Sequence, residues 1–324
     1  MLNDPGARSV APVVVADVPL WGGEWDYELE RAAIEQCGAS FVIPRDAAHN
    51  EELITTADII LRGGRRIDAE IIARAEKCVG IVTYSVGLDG IDLDAASAAG
   101  IGVRNVPGYC TEEVATHAVL LMLAAMRRLP HWLATTSSGG WLHPQDQLTL
   151  PRVSVKTLGV IGAGRIGRAV ASRARAFGMT TIAHDPYVDD AVEGLTLVGF
   201  DHLLRSADVI VLCASVTSTS PQLLDRAALE SLGSPGPIIV NVARGSLIDE
   251  QALGEGLRSG RVAAAALDVR ASEPPDPAND PLAGAPNLIL TPHVAAASRE
   301  AVDDLRAGVA AAAVDLLRAS GRLG

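Results

Sequence analysis

The chain lacks the residue patterns that build metal, disulfide and membrane sites. Its four cysteines, Cys37, Cys78, Cys110 and Cys213, show no C-x-x-C spacing, which argues against a zinc ribbon, a redox pair or a disulfide framework. Its histidines are dispersed and no H-x-x-x-H occurs, so no metal site is expected. No apolar run approaches the ~18 residues of a membrane span, and the N-terminus has no basic-then-apolar signal pattern. A soluble, cytoplasmic protein without a membrane partner is therefore expected. Lysine is nearly absent, with only Lys77 and Lys156. The formal net charge of −12 opposes direct binding to nucleic acid or an anionic membrane, and the short basic run at 62–66 does not reverse that.

What is present is glycine at a particular spacing. Leu158-Gly-Val-Ile-Gly-Ala-Gly-Arg-Ile-Gly-Arg168 places Gly162, Gly164 and Gly167 as G-x-G-x-x-G. An apolar strand-like run, 157–161, precedes it. A helical pattern follows, with Ile166, Val170, Ala174 and Phe177 on one face. In a dinucleotide-binding turn the first glycine makes the strand-to-helix turn, the second admits the pyrophosphate, and the third lets helix and sheet pack closely. The helix starting near Arg165 offers its N–H groups and positive dipole end to phosphate. A second strand, 180–183, ends at Asp185, 18 residues past Gly167, where an acid accepts from a ribose 2′-OH.

At 324 residues, 48% of them apolar, the chain suits two domains. Strand and helix patterns alternate, which predicts parallel sheets. Expected strands in the first series are 13–16, 40–43, 59–61, 80–84 and 103–106. Expected helices include 69–76, 94–98 and an apolar one at 111–127, with Thr111 as N-cap and Glu112 and Glu113 in its first turn. A polar connection at 139–151 leads to the second series, with strands at 157–161, 180–183, 195–198, 208–213, 237–242, 262–268 and 288–290. An alanine-rich helix, 298–319, finishes the chain and is expected to return to the first domain. The fold class is thus α/β, with two Rossmann-like or flavodoxin-like parallel-sheet domains and a cleft between them. Residues 1–107 with 295–324 would bind substrate, and 108–294 would bind NAD.

Polar residues stand just past three successive strands of the second series, in Asn241-Val-Ala-Arg-Gly-Ser-Leu-Ile-Asp249, Leu267-Asp-Val-Arg-Ala-Ser-Glu-Pro274 and Leu290-Thr-Pro-His293. Open α/β sheets bind ligands at those ends, so Arg244, Glu273 and His293 are expected to converge. Reducing a carbonyl with a nicotinamide needs a hydride for the carbon and a proton for the oxygen. His293 is the natural proton donor near neutrality, Glu273 would favour its imidazolium, and Arg244 offers a planar fork to a carboxylate or carbonyl oxygen.

These segments resemble the D-isomer-specific 2-hydroxyacid dehydrogenases, whose signatures include the glycine fingerprint, V-A-R-G, D-V-x-x-x-E-P and P-H. The likeness runs from about Ile59 to Leu317. Tyr84-Ser-Val-Gly-Leu-Asp-Gly-Ile-Asp92 resembles the family's substrate-carboxylate loop. Asn105-Val-Pro-Gly-Tyr-Cys-Thr-Glu-Glu-Val114 is similar to the branch that includes the C-terminal-binding proteins. The resemblance implies Arg244, Glu273 and His293 as catalytic. It implies Gly162, Gly164, Arg165, Ile166, Gly167, Asp185, Thr217, Ala243, Arg244, Asp268 and His293 at the cofactor, and Val86, Gly87 and Arg244 at the substrate. It departs from the family at Cys213 and Ser215, which replace a histidine and a proline. Thr116 stands where an acid usually precedes His117, and Val294 to Ala297 stand where an aromatic is common.

The expected activity is NAD-dependent interconversion of a 2-hydroxy acid and a 2-oxo acid. The alternatives are an NAD(H)-sensing, corepressor-like regulator, or a related enzyme acting on phosphite or formate. NAD is expected over NADP, because Asp185 would repel a 2′-phosphate. The resemblance suggests a homodimer, with 131–141 as an arm burying Trp132 and Trp141 on the partner. Arg62 and Tyr84 are expected to be the first-domain groups that add polarity or bulk to an otherwise open pocket.

Overall fold

A computed structural model describes residues 11–16, 25–141, 145, 150–188, 192–216 and 220–323. The chain divides into two compact units, Met1–Tyr109 with Arg299–Gly324, and Cys110–Ser298. The first unit runs β1 (Val13–Ala16), α1 (Glu28–Gln36), β2 (Ser40–Val42), α2 (Ala47–Ile54), β3 (Ile59–Arg62), α3 (Ala69–Arg74), β4 (Gly80–Thr83), α4 (Leu93–Ala98) and β5 (Gly102–Arg104). Its five strands are parallel in the order β2-β1-β3-β4-β5, the flavodoxin-like winding. A sheet covered on both faces needs strands that are apolar throughout, and alternate residues here do serve opposite cores. Val14, Ile59, Leu61 and Val82 join one cluster with residues of the C-terminal helix, Arg299–Ala319. Val15, Ile60 and Ile81 join Ile54, Ile71 and Ile72 on the other face.

Helices α2, α3 and α4 start where an aspartate caps them. Asp46, Asp68 and Asp92 accept the N–H groups of His49, Ile71 and Ala95, each cap being worth about 1 kcal/mol. The C-terminal helix packs against β3 and β4. Its approach requires Gly80 and Gly102, since a Cβ there would lie 2.6 and 2.8 Å from Leu316 side-chain atoms. A buried ion cluster ties the same helix to α1. Arg306 bridges Glu30, which is fully buried, and Asp26. Removing one partner of such a pair costs about 3–5 kcal/mol, because the other charge is left stranded.

The second unit opens with α5 (Thr111–Met126) and α6 (Leu129–Ser137). There follow β6 (Thr157–Ile161), α7 (Arg165–Ala176), β7 (Thr180–His184), β8 (Thr196–Leu197), α8 (Phe200–Ser206), β9 (Val209–Leu212), α9 (Arg226–Glu230), β10 (Ile238–Asn241), α10 (Glu250–Ser259), β11 (Ala264–Leu267) and β12 (Leu288–Leu290). All seven strands are parallel, ordered β12-β11-β10-β9-β6-β7-β8. The order reverses at β6, which has β9 on one side and β7 on the other. Such a switch point opens a ligand crevice at the carboxyl ends of the strands. One face of the sheet is covered by a core that includes Leu203, Leu229, Leu253 and Leu257 from α8 to α10. Helix α5 packs on α7 and on β10 and β11, through Val114, Ala118, Leu121 and Met122 among others.

Several local expectations are corrected. Thr111 is the first residue of α5 rather than its cap: Cys110 holds the N-cap position, and no side chain caps the helix. The strands expected at 103–106 and 195–198 are shorter, Gly102–Arg104 and Thr196–Leu197. Much of the expected 131–141 arm is helical, within α6. In the single chain Trp141 is 86% exposed and Trp132 is half-buried.

Candidate active site at the carboxyl edge of the second sheet

At the end of β6 the three glycines take three distinct positions. Gly162 has φ 99°, and a Cβ there would lie 2.6 Å from the backbone nitrogen of Ala214, just beyond β9. A Cβ on Gly167 would sit 2.0 Å from the carbonyl oxygen of Gly162, so only glycine lets α7 approach the strand. A Cβ on Gly164, by contrast, would meet nothing within 4 Å. Gly164 is also the N-cap of α7, and no side chain caps that helix. The helix therefore presents Arg165, Ile166 and its first-turn N–H groups to open space. Asp185, after β7, closes the turn: one carboxylate oxygen accepts from Ala163 N at 2.8 Å and the other from Tyr187 N at 3.0 Å. Cys213 lies half-buried beyond β9, and burial pushes its thiol up to about 12. Thr217 lies outside the described residues.

The ends of β10, β11 and β12 carry the polar groups. Asn241, itself buried, accepts from Ala243 N and donates its amide to Arg244 O, fixing the turn that projects Arg244. Beyond β11, Glu273 accepts the N–H of Arg270 at 2.8 Å on one oxygen. Its other oxygen lies 2.6 Å from Nδ1 of His293, beyond β12. His293 has φ 54°, a left-handed conformation that costs a non-glycine residue on the order of 1–3 kcal/mol and clusters at functional sites. Asp268 holds it there. The Asp268 carbonyl accepts His293 N, while its fully buried carboxylate accepts Thr291 Oγ1 at 2.6 Å, Val294 N at 3.0 Å and Ala295 N at 2.9 Å. His117, from α5, extends the network to Thr291 at 3.1 Å. The Thr291 hydroxyl already gives its proton to Asp268, so His117 donates from Nε2.

The pair polarises itself. The hydrogen bond that His293 donates to Glu273 raises the His293 pKa above 6.5; burial and the Arg244 guanidinium oppose that, and the charges of Glu273 and Asp268 assist it. Burial pushes the Glu273 carboxyl upward, but the bonds from His293 and Arg270 N, helped by the Arg244 charge, hold it below 4.5. Both shifts favour carboxylate and imidazolium. With Glu273 ionised, the bridging proton belongs to Nδ1, and Nε2 is left to act on a ligand.

The chain as a whole is similar to known proteins. Residues 119–295 fit the family model described as D-isomer specific 2-hydroxyacid dehydrogenase, NAD binding domain. A hydroxypyruvate reductase of Thermotoga maritima is 37% identical over 252 residues, covering 77% of this chain and 81% of that protein. The chain belongs to this family. A D-3-phosphoglycerate dehydrogenase of Archaeoglobus fulgidus is 42% identical over 246 residues, 75% of this chain but 46% of that protein. The chain thus spans about half the length of the phosphoglycerate dehydrogenases it matches. The Aquifex aeolicus D-lactate dehydrogenase, solved with NAD and lactic acid, superposes with a TM-score of 0.82 at 25% identity, covering 95% of each chain. NAD, the cofactor named by the family model, fits the residues present here: the open space at Gly164, the uncapped α7 and the acid at Asp185 suit a pyrophosphate followed by a ribose diol. Among the described residues no cluster could hold a metal ion, and no helix is long and apolar enough to cross a membrane.

For a 2-hydroxyacid dehydrogenase the first unit supplies fewer of the expected groups. Val86 and Gly87 lie half-buried in a loop past β4, their carbonyls accepting from Asn105 Nδ2 and Ser85 Oγ. Tyr84 is not a pocket residue. It is buried among Trp25 and Tyr27, and its hydroxyl donates to Glu30 at 3.2 Å. Arg62 binds its own surroundings, donating to Arg65 O and to Thr83 Oγ1. Of the small residues after His293, Ala295 turns inward and is 5% exposed. Sequence reasoning missed Asn241, Arg270 and Thr291. Asn241 and Thr291 flank the polar strand ends, and asking where those turns satisfy their backbone groups would have singled them out.

Proposed function

We propose that the chain is an NAD-dependent dehydrogenase interconverting a 2-oxo acid and a 2-hydroxy acid. The observation that carries this is the 2.6 Å contact of Glu273 with His293, beside Arg244, at successive strand ends of a dinucleotide-binding sheet. Gly162, Gly164, Arg165, Ile166 and Gly167 hold the pyrophosphate, Asp185 takes the adenosine ribose, and Ala243 and Asp268 shape the turns near the nicotinamide. NAD, when bound, supplies or accepts the hydride at the substrate carbon. Arg244 grips the substrate carboxylate or carbonyl oxygen. His293 gives its Nε2 proton to the carbonyl oxygen during reduction and takes it back during oxidation. Glu273 keeps the ring charged and oriented through Nδ1.

The relatives act, by their names, on phosphoglycerate, hydroxypyruvate and lactate, so a small 2-hydroxy acid is the substrate class we assign. Tyr84 is buried and the Arg62 guanidinium donates to Arg65 O and Thr83 Oγ1, so neither of these two groups argues for a second anionic group on the substrate, and a monoanionic one is favoured. Comparing glyoxylate, pyruvate, 2-oxobutyrate, phenylpyruvate and 2-oxoglutarate with NADH tests this reading. Turnover of the monoanionic acids supports it. Inactivity with all five overturns it in favour of a nucleotide-sensing role.

We also propose a homodimer. Leu120, Leu133, Trp141 and Val155 are 57–86% exposed, and a groove of about 780 Å³ near α6 is lined by Trp132, Trp141, Leu150 and Val153 among others. Such an apolar surface suits a partner subunit. Light scattering that gives 33.6 kDa at micromolar concentration would rule it out.

A further inference from the structure

Arg270 is 9% exposed, unusual for an arginine in a loop. Its Nε and Nη2 each lie 3.0 Å from an oxygen of Glu250, the first residue of α10. Nη2 also reaches Asp280 at 2.6 Å. Both carboxylates are engaged a second time by the backbone, Glu250 by Ala271 N at 2.8 Å and Asp280 by Leu282 N at 2.9 Å. The fork thus clamps the stretch after β11 to the start of α10 and to the turn before β12. On the other side this stretch lies against Gly245, where a Cβ would be 1.9 Å from the Arg270 carbonyl carbon and 2.3 Å from Ala271 N. The backbone beside Arg244 and the backbone beside Glu273 are in direct contact, with Arg270 at the junction.

We propose that Arg270 is a positioning residue for the His293–Glu273 pair: its guanidinium pins the loop so that one Glu273 oxygen is taken by the Arg270 N–H and the other is aimed at the imidazole. The geometry leaves little slack. Glu273 is three residues past Arg270, and the two are joined by a 2.8 Å backbone-to-carboxylate bond. If the Arg270 backbone drifts, that bond loosens, Glu273 turns to solvent, and His293 loses its partner. Lysine keeps the charge but, as a point donor, does not reproduce a fork held by two carboxylates. The charged groups acting on His293 are Glu273, Arg244 and Asp268, with His117 reaching the same loop through Thr291. Of these, Glu273 and Asp268 sit on the clamped stretch itself, and Arg244 adjoins Gly245, which packs against it.

The inference rests on reading His293 and Glu273 as the proton-transferring pair, so its test does not use turnover. The imidazole signals of the seven histidines can be followed by NMR through a pH titration, His293 being assigned from the spectrum of H293Q. In E273Q the His293 midpoint should fall by about one unit or more. In R270K and in E250Q it should fall by roughly half that amount or more, while the other histidines hold their values. R270M should fall further where it folds; R270K and E250Q, milder changes, decide the matter where it does not. An unchanged His293 midpoint in folded R270K and E250Q, even with lowered melting temperatures, would reduce Arg270 to a stabilising residue and overturn the proposal. Absence of oxo-acid turnover in the unsubstituted protein would instead refute the proposed activity and leave this titration result standing.

Discussion

Oε2 of Glu273 lies 2.6 Å from Nδ1 of His293 while its Oε1 accepts the N–H of Arg270, so the carboxylate is anchored at one oxygen and aimed with the other. A carboxylate held this way sets three properties of the ring at once: which nitrogen carries the bridging proton, which way the ring faces, and how readily it becomes a cation. The left-handed backbone at His293 is the conformational cost of delivering the ring to that position, and Asp268 offsets it through three backbone N–H groups.

Replacing His293 by alanine should remove most reductase turnover and leave NADH binding nearly intact. A positioned general acid typically contributes about 10²–10⁴-fold, and that is the expected loss in kcat. NADH affinity, read by fluorescence titration, should change little. A variant with undiminished kcat would take His293 out of the mechanism.

The pH dependence follows from the direction of the shifts. Reduction needs the imidazolium, whose pKa Glu273 holds above 6.5. Activity should therefore fall as pH rises through that raised value, above the ordinary imidazole range. Oxidation of the hydroxy acid needs the neutral ring and should rise over the same interval. In E273Q the main cause of the shift is gone, so both transitions should move to lower pH. Identical profiles for E273Q and the unsubstituted protein would contradict the pairing.

Gly167 and Gly164, which differ in what an added Cβ would meet, make a sharper test of the phosphate turn. Gly167→Ala drives a Cβ to 2.0 Å from the Gly162 carbonyl oxygen; such overpacking typically costs about 1–3 kcal/mol, and the melting temperature should drop. Gly164→Ala meets nothing within 4 Å, and φ −73° is ordinary for alanine, so the fold should be unaffected while NADH binding weakens. Equal melting losses in both variants would mean that the space at Gly164 is not the ligand's.

The parts of this fold that were legible from sequence are those set by local constraint. The spacing of Gly162, Gly164 and Gly167 is dictated by contacts within one strand–turn–helix unit, and apolar strands buried on both faces announce a parallel sheet. The convergence of Arg244, Glu273 and His293 at neighbouring strand ends was readable once that sheet was assumed. Tyr84 was misread because its partner, Glu30, lies 54 residues away on α1. Arg270 was passed over for a similar reason: an arginine in a polar loop reads as surface until Glu250 and Asp280 fold onto it. Thr111 failed as a cap because the helix begins one residue earlier than its side-chain chemistry suggests, at a cysteine whose backbone makes the turn.

Cofactor choice tests the other end of the nucleotide site. Asp185 spends one oxygen on Ala163 N and the other on Tyr187 N, so its charge sits fixed beside the glycine turn. Each oxygen of an ionised carboxylate keeps a further lone pair, enough to accept from a ribose 2′-OH, and the charge repels a 2′-phosphate at the same place. NADH should therefore be preferred over NADPH. Asp185→Ala removes the repulsion, but it also releases the Ala163 and Tyr187 N–H groups that order the turn. Activity with NADH should then fall by roughly 10–100-fold, the range for losing a charged hydrogen bond worth about 1.5–3 kcal/mol, while activity with NADPH falls less and the ratio narrows. Asp185→Asn separates the two effects, since its amide oxygen can still accept one of those N–H groups without carrying charge. It should keep more NADH turnover than alanine and narrow the ratio as well. Equal or better kcat/KM with NADPH in the unsubstituted protein would show that Asp185 does not select the cofactor.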